Sequence, residues 1–599
     1  MVISSDMEWT RDGFIDVLGI AWNDGTSATA CDRNDVTFAE YLELLKRADA
    51  VIGQNFLSAD CRMLAKAGVD VSWLEPKVKD IRLYMHAING HLAGSGSYDL
   101  RSIVLLCGER QGQRFPLDFK KYESDLHATC AMDSAAAGYV FPTLQRLVTQ
   151  YGLEKTVEIA HKVAPIFALM HEQGIRLDKK VLEQIHSDRQ KKAVDIVERY
   201  HLWEERGKKK IKRVPIWRSN KILDIFKEQF GVKPVSRQRK VWEKLANDQT
   251  LSEEARTFAS AILDLGKAAN DATFVGKASE DDNGDISFGK VDGDGFIHPR
   301  YDQCGSPDRA IASGPNIQQW PRPSDDPRLV KLRSAVIPLH DDHVIIEVDF
   351  SSVETYTNAI ESGDWDRVKA IQEKRLSHEG TAEAINKVFG LSLNRNQGKA
   401  CNHALEKGES PWNLAVRLFK TDRPSRQQTL QCKAVFDKML AEFPILSKFR
   451  DDLWERAKSN PLTVTNAFGR RLQCFSRSKY GDSEGRFAKH DPSKKYWCSC
   501  GECAPRRDRF KYAVAFLGRS SAFDVLLRKM ATIWYEKRLD IYSLPYAEVH
   551  DSLLFSVPKD SAQMYLDRVI ACFNEPVPEL GNISLKCEGG IGNNWAVCK

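Results

Sequence analysis

Apolar positions in the first quarter of the chain follow two periods. "FIDVLGIAW" and "ADAVIG" hold short Val/Ile/Leu runs of strand length. "FAEYLELLKRA" and "AAAGYVFPTLQRLVTQ" repeat apolar residues every three to four positions, as helices do. That alternation predicts an α/β domain over residues 1–150. From 152 to about 275 the helical period dominates, most clearly in "TVEIAHKVAPIFALMHEQG". It is interrupted by a basic stretch that reads as a loop, "ERGKKKIKRVPIWR", and followed by turns and a hairpin in "EDDNGDISFGKVDGDGF". "HVIIEVDF" then reads as a strand, helices return to about 460, and a polar insert spans 476–507. After 508 the order is helix, strand, helix. Within it "YAEVHDSLLFSV" reads as one strand, because Val549, Leu553, Phe555 and Val557 share a parity.

Composition narrows the class. The 599 residues suffice for several domains, and 42% hydrophobic content supports real cores. A formal net charge of +5 is weak, so an anionic partner must be held by local clusters. No apolar run is long enough to span a bilayer, and "MVISSDMEWTRDG" lacks the basic and apolar regions of a signal peptide. Fourteen cysteines, mostly scattered singly, suit reduced thiols and a cytoplasmic location.

Two of these strands carry an acid where a buried strand favours an aliphatic residue: Asp349 in "HVIIEVDFSSVE" and Asp551 in "VHDSLLF". Either one alone reads equally as the end of a strand. Brought together, two carboxylates repel and call for a cation; Mg²⁺ takes a few carboxylate oxygens plus substrate phosphates. In "LNRNQGKACNHALEKG", Arg395 and Lys399 are one helical turn apart and His403 continues the stripe. Such a face is either solvated or suited to a triphosphate.

"VDFSSVE" and "VHDSLLF" resemble the first and last palm motifs of family A DNA polymerases. "RNQGKACNHALEKG" is similar to the fingers-helix motif, "SPDRAIASGPNIQQWPRP" to the stretch that tracks primer and template, and "NAFGRRL" and "GNNW" also fit. The motifs run in family order over residues 150–599. The resemblance implies a right-hand polymerase with an antiparallel palm sheet, binding primer–template DNA and dNTPs. Asp349, Asp551 and the Phe350 carbonyl would hold two Mg²⁺ (or Mn²⁺) ions. Arg395 and Lys399 would grip the triphosphate, Lys399 could protonate departing pyrophosphate, and His378 would lie near the phosphates. Glu354 would sit below the incoming sugar and disfavour a 2′-hydroxyl. Arg309, Asn316, Gln318 and Arg519 would contact DNA, and His550 would lie near the primer end. The sequence departs from the family at His403 (usually Phe or Tyr), Lys407 (Tyr), Ser552 (Glu) and Arg519 (Gln). These changes leave the metal ligands intact and fall on nucleotide selection. The minor groove differs between base pairs mainly by the 2-amino group of guanine. A genome with 2-aminoadenine carries that donor in every purine pair, and in its size and these departures the chain resembles the bacteriophage polymerases associated with such genomes.

The N-terminal domain resembles the 3′–5′ proofreading exonuclease attached to such polymerases, an RNase H-like α/β fold. "SSDMEW" gives Asp6 and Glu8, which share a strand face; "IGQNFLSADCRML" gives Asn55 and Asp60; "HATCAMDSAAAGY" gives Asp133. By the resemblance, Asp6, Glu8, Asp60 and Asp133 would bind a second pair of ions, with Thr129 standing where the family has Tyr. With this domain at the start of the sequence, no separate 5′ nuclease is expected.

The expected division is exonuclease 1–150, thumb 151–300, palm 301–375 and 508–599, fingers 376–475 and an insert at 476–507. The basic stretch would contact phosphates. In the insert, His490, Cys498, Cys500 and Cys503 could complete a structural zinc site or remain free. Expected is a monomeric polymerase in an infected bacterial cytoplasm. Rivals are an exonuclease whose second half only binds DNA, an RNA polymerase of the same palm class, and a nonenzymatic DNA-binding protein.

Overall fold

The computed structural model describes the chain except residues 11, 23–24, 93–97, 112–119, 121–123, 207–211, 281–285, 321–330, 374–375, 420, 422, 477–488, 492–497, 499 and 599. Val2–Trp9 is the middle of a five-stranded sheet. It pairs antiparallel with Ile15–Trp22, which pairs with Ser27–Asp32, and parallel with Ala50–Gly53, which pairs with Val78–Asp80. The helix Leu126–Tyr151 crosses this sheet at close range. A Cβ on Gly19 would lie 2.7 Å from the Cys130 sulfur and 2.9 Å from its carbonyl oxygen. Only a glycine permits that approach, which brings the helix's acidic residue over the strand.

The helix Glu154–Gln173 divides its faces between two cores. Val157, Ala160 and Ala164 pack with the N-terminal sheet, whereas Val163, Ile166, Phe167 and Met170 pack with the C-terminal one. That helix therefore belongs to both cores. A separate helical core runs from Ile196 to Leu265, and Val275, Phe288 and Ile297 join a cluster with Ile345 and Leu554. The basic stretch read as a loop is flanked by paired strands, Trp203–Arg206 with Lys212–Pro215. Its central lysines lie outside the described residues. Ladder hydrogen bonding there overrides the loop-like composition.

The C-terminal sheet has four antiparallel strands in the order Ala547–Val549, Ser552–Pro558, His343–Phe350, Cys587–Gly592. His343–Phe350 is central and buried on both faces, which explains its near-continuous apolar run. The strand expected over 546–557 is two strands. Val549 pairs with Ser552 across a two-residue turn, in which His550 adopts φ 65°. Helix Cys503–Tyr535, 33 residues long, packs against this sheet and reaches a cluster with Trp454 and Leu472 at its start. A third cluster, from Ile385 to Leu446, buries the inner face of helix Arg395–Glu406. No helix among the described residues is long and apolar enough to cross a membrane. None of the fourteen cysteines is joined in a disulfide.

The N-terminal and C-terminal halves meet through polar contacts. Arg82 pairs with Asp302 at 2.8 Å, His86 Nε2 lies 3.1 Å from the Ser306 carbonyl, and the Asp80 N–H donates to His161 Nε2 at 2.9 Å.

Candidate active sites

The sheet register brings the two strand acids to one end of neighbouring strands. Asp349 stands opposite Ser552, and the Phe350 N–H donates to the Asp551 carbonyl at 3.2 Å. Both aspartates are half-buried at the sheet's open end. Asp551 lies in the turn rather than in a strand. Its place is therefore set by the hairpin, and Ser552 helps close that hairpin by donating from Oγ to the Val549 carbonyl at 3.3 Å. Glu588 is the cross-strand neighbour of Asp349 on the other side, so a third acid shares its face.

Behind the turn lies an acid that the sequence pattern did not reveal. Glu548 is 1% exposed and accepts from Gln318 Nε2 at 2.6 Å, while its own N–H donates to the Tyr301 hydroxyl at 3.2 Å. Burial, opposed by hydrogen bonds from Gln318 and the His550 N–H and reinforced by the Asp551 charge, pushes its carboxyl up to about 8. Gln318 was expected to touch DNA. Here its amide is spent inside the protein, accepting from the Ala312 N–H and donating to the Ala310 carbonyl and to Glu548. It supports the turn that carries Asp551. Asn316 and Arg309 are partly exposed beside it. Arg519 is held by Asp308 at 2.6 Å.

Helix Arg395–Glu406 begins with a capping box, in which Asn394 and Gln397 exchange side-chain-to-backbone bonds. Its buried face is Gly398, Cys401, Asn402, Ala404 and Leu405, which leaves Arg395, Lys399 and His403 on the outer side. Arg395 pairs with Glu379 at 2.5 Å. His378 opens the adjoining helix, His378–Phe389, and its ring lies 5.9 Å from that of His403. Burial, together with the charges of His403 and Lys399, lowers His378 to about 4, so it is neutral at physiological pH. The Asn402 amide nitrogen lies 3.2 Å from His378 Nδ1. An amide nitrogen only donates, so Nδ1 accepts and Nε2 carries the proton.

Two of the departures from the resembled motif are coupled in space. Glu354, on the helix that follows Asp349, lies 3.8 Å from His403 Nδ1 and 3.6 Å from Lys407 Nζ. His403 also approaches Glu406 at 3.5 Å, and Glu406 forms a fully buried pair with Arg367 at 2.7 Å. Burial pushes Glu406 up, but the His403 bond and the Arg367 charge outweigh it and hold the carboxyl below its usual range. The "NAFGRRL" segment is also structural at its core. Arg470 and Asn466 both bind Asp524 of the long helix, at 2.5 Å and 2.8 Å.

In the N-terminal domain, ligand oxygens of Asp6, Glu8 and Asp133 lie within 4.8 Å of one another. Asp60, buried at the start of helix Asp60–Lys66, is close enough for its charge to act on Asp6. Burial, then the charges of Asp60, Asp133 and Glu8, hold Asp6 well above the usual carboxylate range. Burial likewise raises Asp60 and Glu8. Burial and Glu8 raise Asp133 to about 6. Thr129 is one helical turn before Asp133, on the same face. An all-oxygen set of mutually repelling acids suits hard divalent cations.

Residues 286–597 match the family model for DNA polymerase family A. The chain belongs to that family. Among curated family A proteins it is similar to DNA polymerase I of Streptococcus pneumoniae, 25% identical over 317 residues. It is also similar to the thermostable DNA polymerase I of Thermus thermophilus, 24% identical over 315 residues. Each match takes in 51% of this chain, and 32% and 33% respectively of those proteins, so the likeness spans about a third of the length of these relatives. A solved structure, the POL domain of Pol1 from M. smegmatis in complex with DNA primer–template and dNTP, has a similar fold. Its TM-score is 0.73 at 15% identity, covering 100% of this chain and 96% of that one.

Proposed function

We propose that this family A protein is a DNA-dependent DNA polymerase that extends a primer 3′ end, and that its N-terminal domain is a 3′–5′ exonuclease. The observation that carries the first half is the register placing Asp349 and Asp551 at one end of adjacent strands. The helix with Arg395 and Lys399 is tied to the same place through Glu354. The residues fit divalent cations: hard oxygen donors, few in number, at an accessible sheet end. When bound, such ions activate the attacking oxygen and offset charge on the leaving one.

The remaining work falls to the chain's own groups, and phosphoryl transfer asks mainly for positioning and electrostatic stabilisation. Arg395 and Lys399 orient the triphosphate, and Lys399 gives a proton to the departing pyrophosphate. Neutral His378 donates from Nε2 without adding charge. Glu354, fixed by His403 and Lys407, lines the sugar pocket and excludes a 2′-hydroxyl. Arg309, Asn316, Arg519 and His550 line the DNA path. The exonuclease reading is supported by the sheet order and by the convergence of Asp6, Glu8 and Asp133 near Asp60.

Primer extension by the native chain and by Asp551→Asn tests this directly. Loss of extension with retained 3′ trimming is expected; unchanged extension removes Asp551 from the chemistry. Extension with ribonucleotides alone would instead point to an RNA polymerase. Arg519 is the residue through which a preference for 2-aminoadenine would act. Competition between dATP and its 2-amino analogue opposite T reads that out, and firm preference for dATP removes it.

A further inference from the structure

Away from both acidic sites, the insert gathers three thiols and an imidazole. His490 Nδ1 lies 3.4 Å from the Cys500 sulfur, 3.6 Å from that of Cys503 and 3.8 Å from that of Cys498. All four ligand atoms fall within 4.8 Å of one another. Zinc bonds of about 2.3 Å to sulfur and 2.0–2.1 Å to nitrogen, arranged tetrahedrally, require N···S edges of about 3.5 Å and S···S edges of about 3.8 Å. The three N···S distances match that spacing, and the sulfurs lie within 4.8 Å of one another.

The surroundings match as well. The Asp491 N–H points to the Cys498 sulfur at 3.5 Å and the Cys503 N–H to the Cys500 sulfur at 3.4 Å. Such outer bonds offset thiolate charge and orient the ligands. The three sulfurs are buried in the cluster that holds Trp454, Leu472 and Phe510.

We infer that His490, Cys498, Cys500 and Cys503 form a mononuclear Cys₃His zinc site that fastens the insert to the start of helix Cys503–Tyr535. Four protein ligands complete the shell and leave no open position, which makes the ion structural. Cys503 opens the helix, and Arg519 follows sixteen residues along it, about 24 Å away at 1.5 Å per residue. The ion therefore has no part in the nucleotidyl chemistry. It sets the angle at which the helix leaves the cluster, with Arg506 stacked on Trp454 at 4.2 Å and donating to its carbonyl at 2.8 Å.

The test uses the full-length chain. Elemental analysis is expected to find one zinc per chain, and Co²⁺ exchange to give the intense ligand-field bands of a tetrahedral site with thiolate charge transfer. Cys500→Ser should lose both, while His490→Cys should keep a tetrahedral spectrum. If Cys500→Ser does not fold, the native chain stripped with chelator serves instead. Its first helical turns from Cys503 should lose hydrogen-exchange protection and regain it on adding zinc alone. Absence of bound zinc at saturating zinc, a weak octahedral cobalt spectrum, or protection unmoved by stripping would each overturn the inference.

Discussion

The N-terminal acidic site offers a prediction in which electrostatics and stability oppose one another. Asp133 titrates near 6 in the fold because of burial and Glu8. In the unfolded chain it ionises near the ordinary aspartate value, about 3.9. Since the folded value is the higher, its contribution to stability is fully present below about pH 4 and is lost as pH rises through about 6. At about 1.4 kcal/mol per unit, metal-free protein gives up about 1.5 kcal/mol by pH 5 and about 3 kcal/mol by pH 7. Asp133→Asn cannot ionise. In EDTA at pH 8 it should therefore be more stable than the native chain by about 2–3 kcal/mol. For a domain of this size that raises the first melting transition by roughly 5–10 °C. At pH 5 the gain should shrink by about half. Adding Mn²⁺ should reverse the order, because the ion stabilises only the chain that binds it. Thermal melts in EDTA and in Mn²⁺ at both pH values make the comparison. If Asp133→Asn gains nothing at pH 8, or gains equally at pH 5, burial and the Glu8 charge do not raise the proton affinity of Asp133.

Three further outcomes are expected. A Cβ on Gly398 would lie 2.1 Å from the His378 carbonyl oxygen; Gly398→Ala must displace helix Arg395–Glu406, and single-turnover extension should fall at least about tenfold, with overpacking costing about 1–3 kcal/mol. Glu406→Gln leaves the Arg367 guanidinium buried without its counter-charge, and chemical denaturation should register a loss of about 3–5 kcal/mol, mostly recovered by adding Arg367→Met. Glu548, held protonated to about 8 by burial, contributes stability that is lost as pH climbs from its ordinary range through that value; Glu548→Gln should flatten the alkaline decline in both melting temperature and extension rate.

Much of the C-terminal site was legible because buried strands tolerate few polar residues. Asp349 stands out at the end of an apolar run, and the helix with Arg395 and Lys399 announces itself through the spacing of its basic residues. The hairpin at His550 was not legible. Its turn lacks the Gly or Asn that usually marks one, and Val549, Leu553 and Phe555 keep parity across it. Glu548 looked like an ordinary polar alternation, because only the third dimension supplies Gln318 and Tyr301 as its partners. The same holds for His403 and Lys407. Read along the chain they are isolated departures; in the fold they share Glu354. In the N-terminal domain, the Asp6–Glu8 spacing on a strand was readable, but the depth of Asp60 depends on packing that no local pattern encodes.

The two-residue turn between Val549 and Ser552 has an engineering consequence. A carboxylate mounted mid-strand can be relocated only in whole-residue steps, each inverting its side of the sheet. One mounted on a tight bend can be nudged by changing torsions at its neighbour, with the flanking ladder untouched. Transplanting this centre into another scaffold would accordingly mean moving the bend together with its buried brace, Glu548 and Gln318, rather than the aspartate alone.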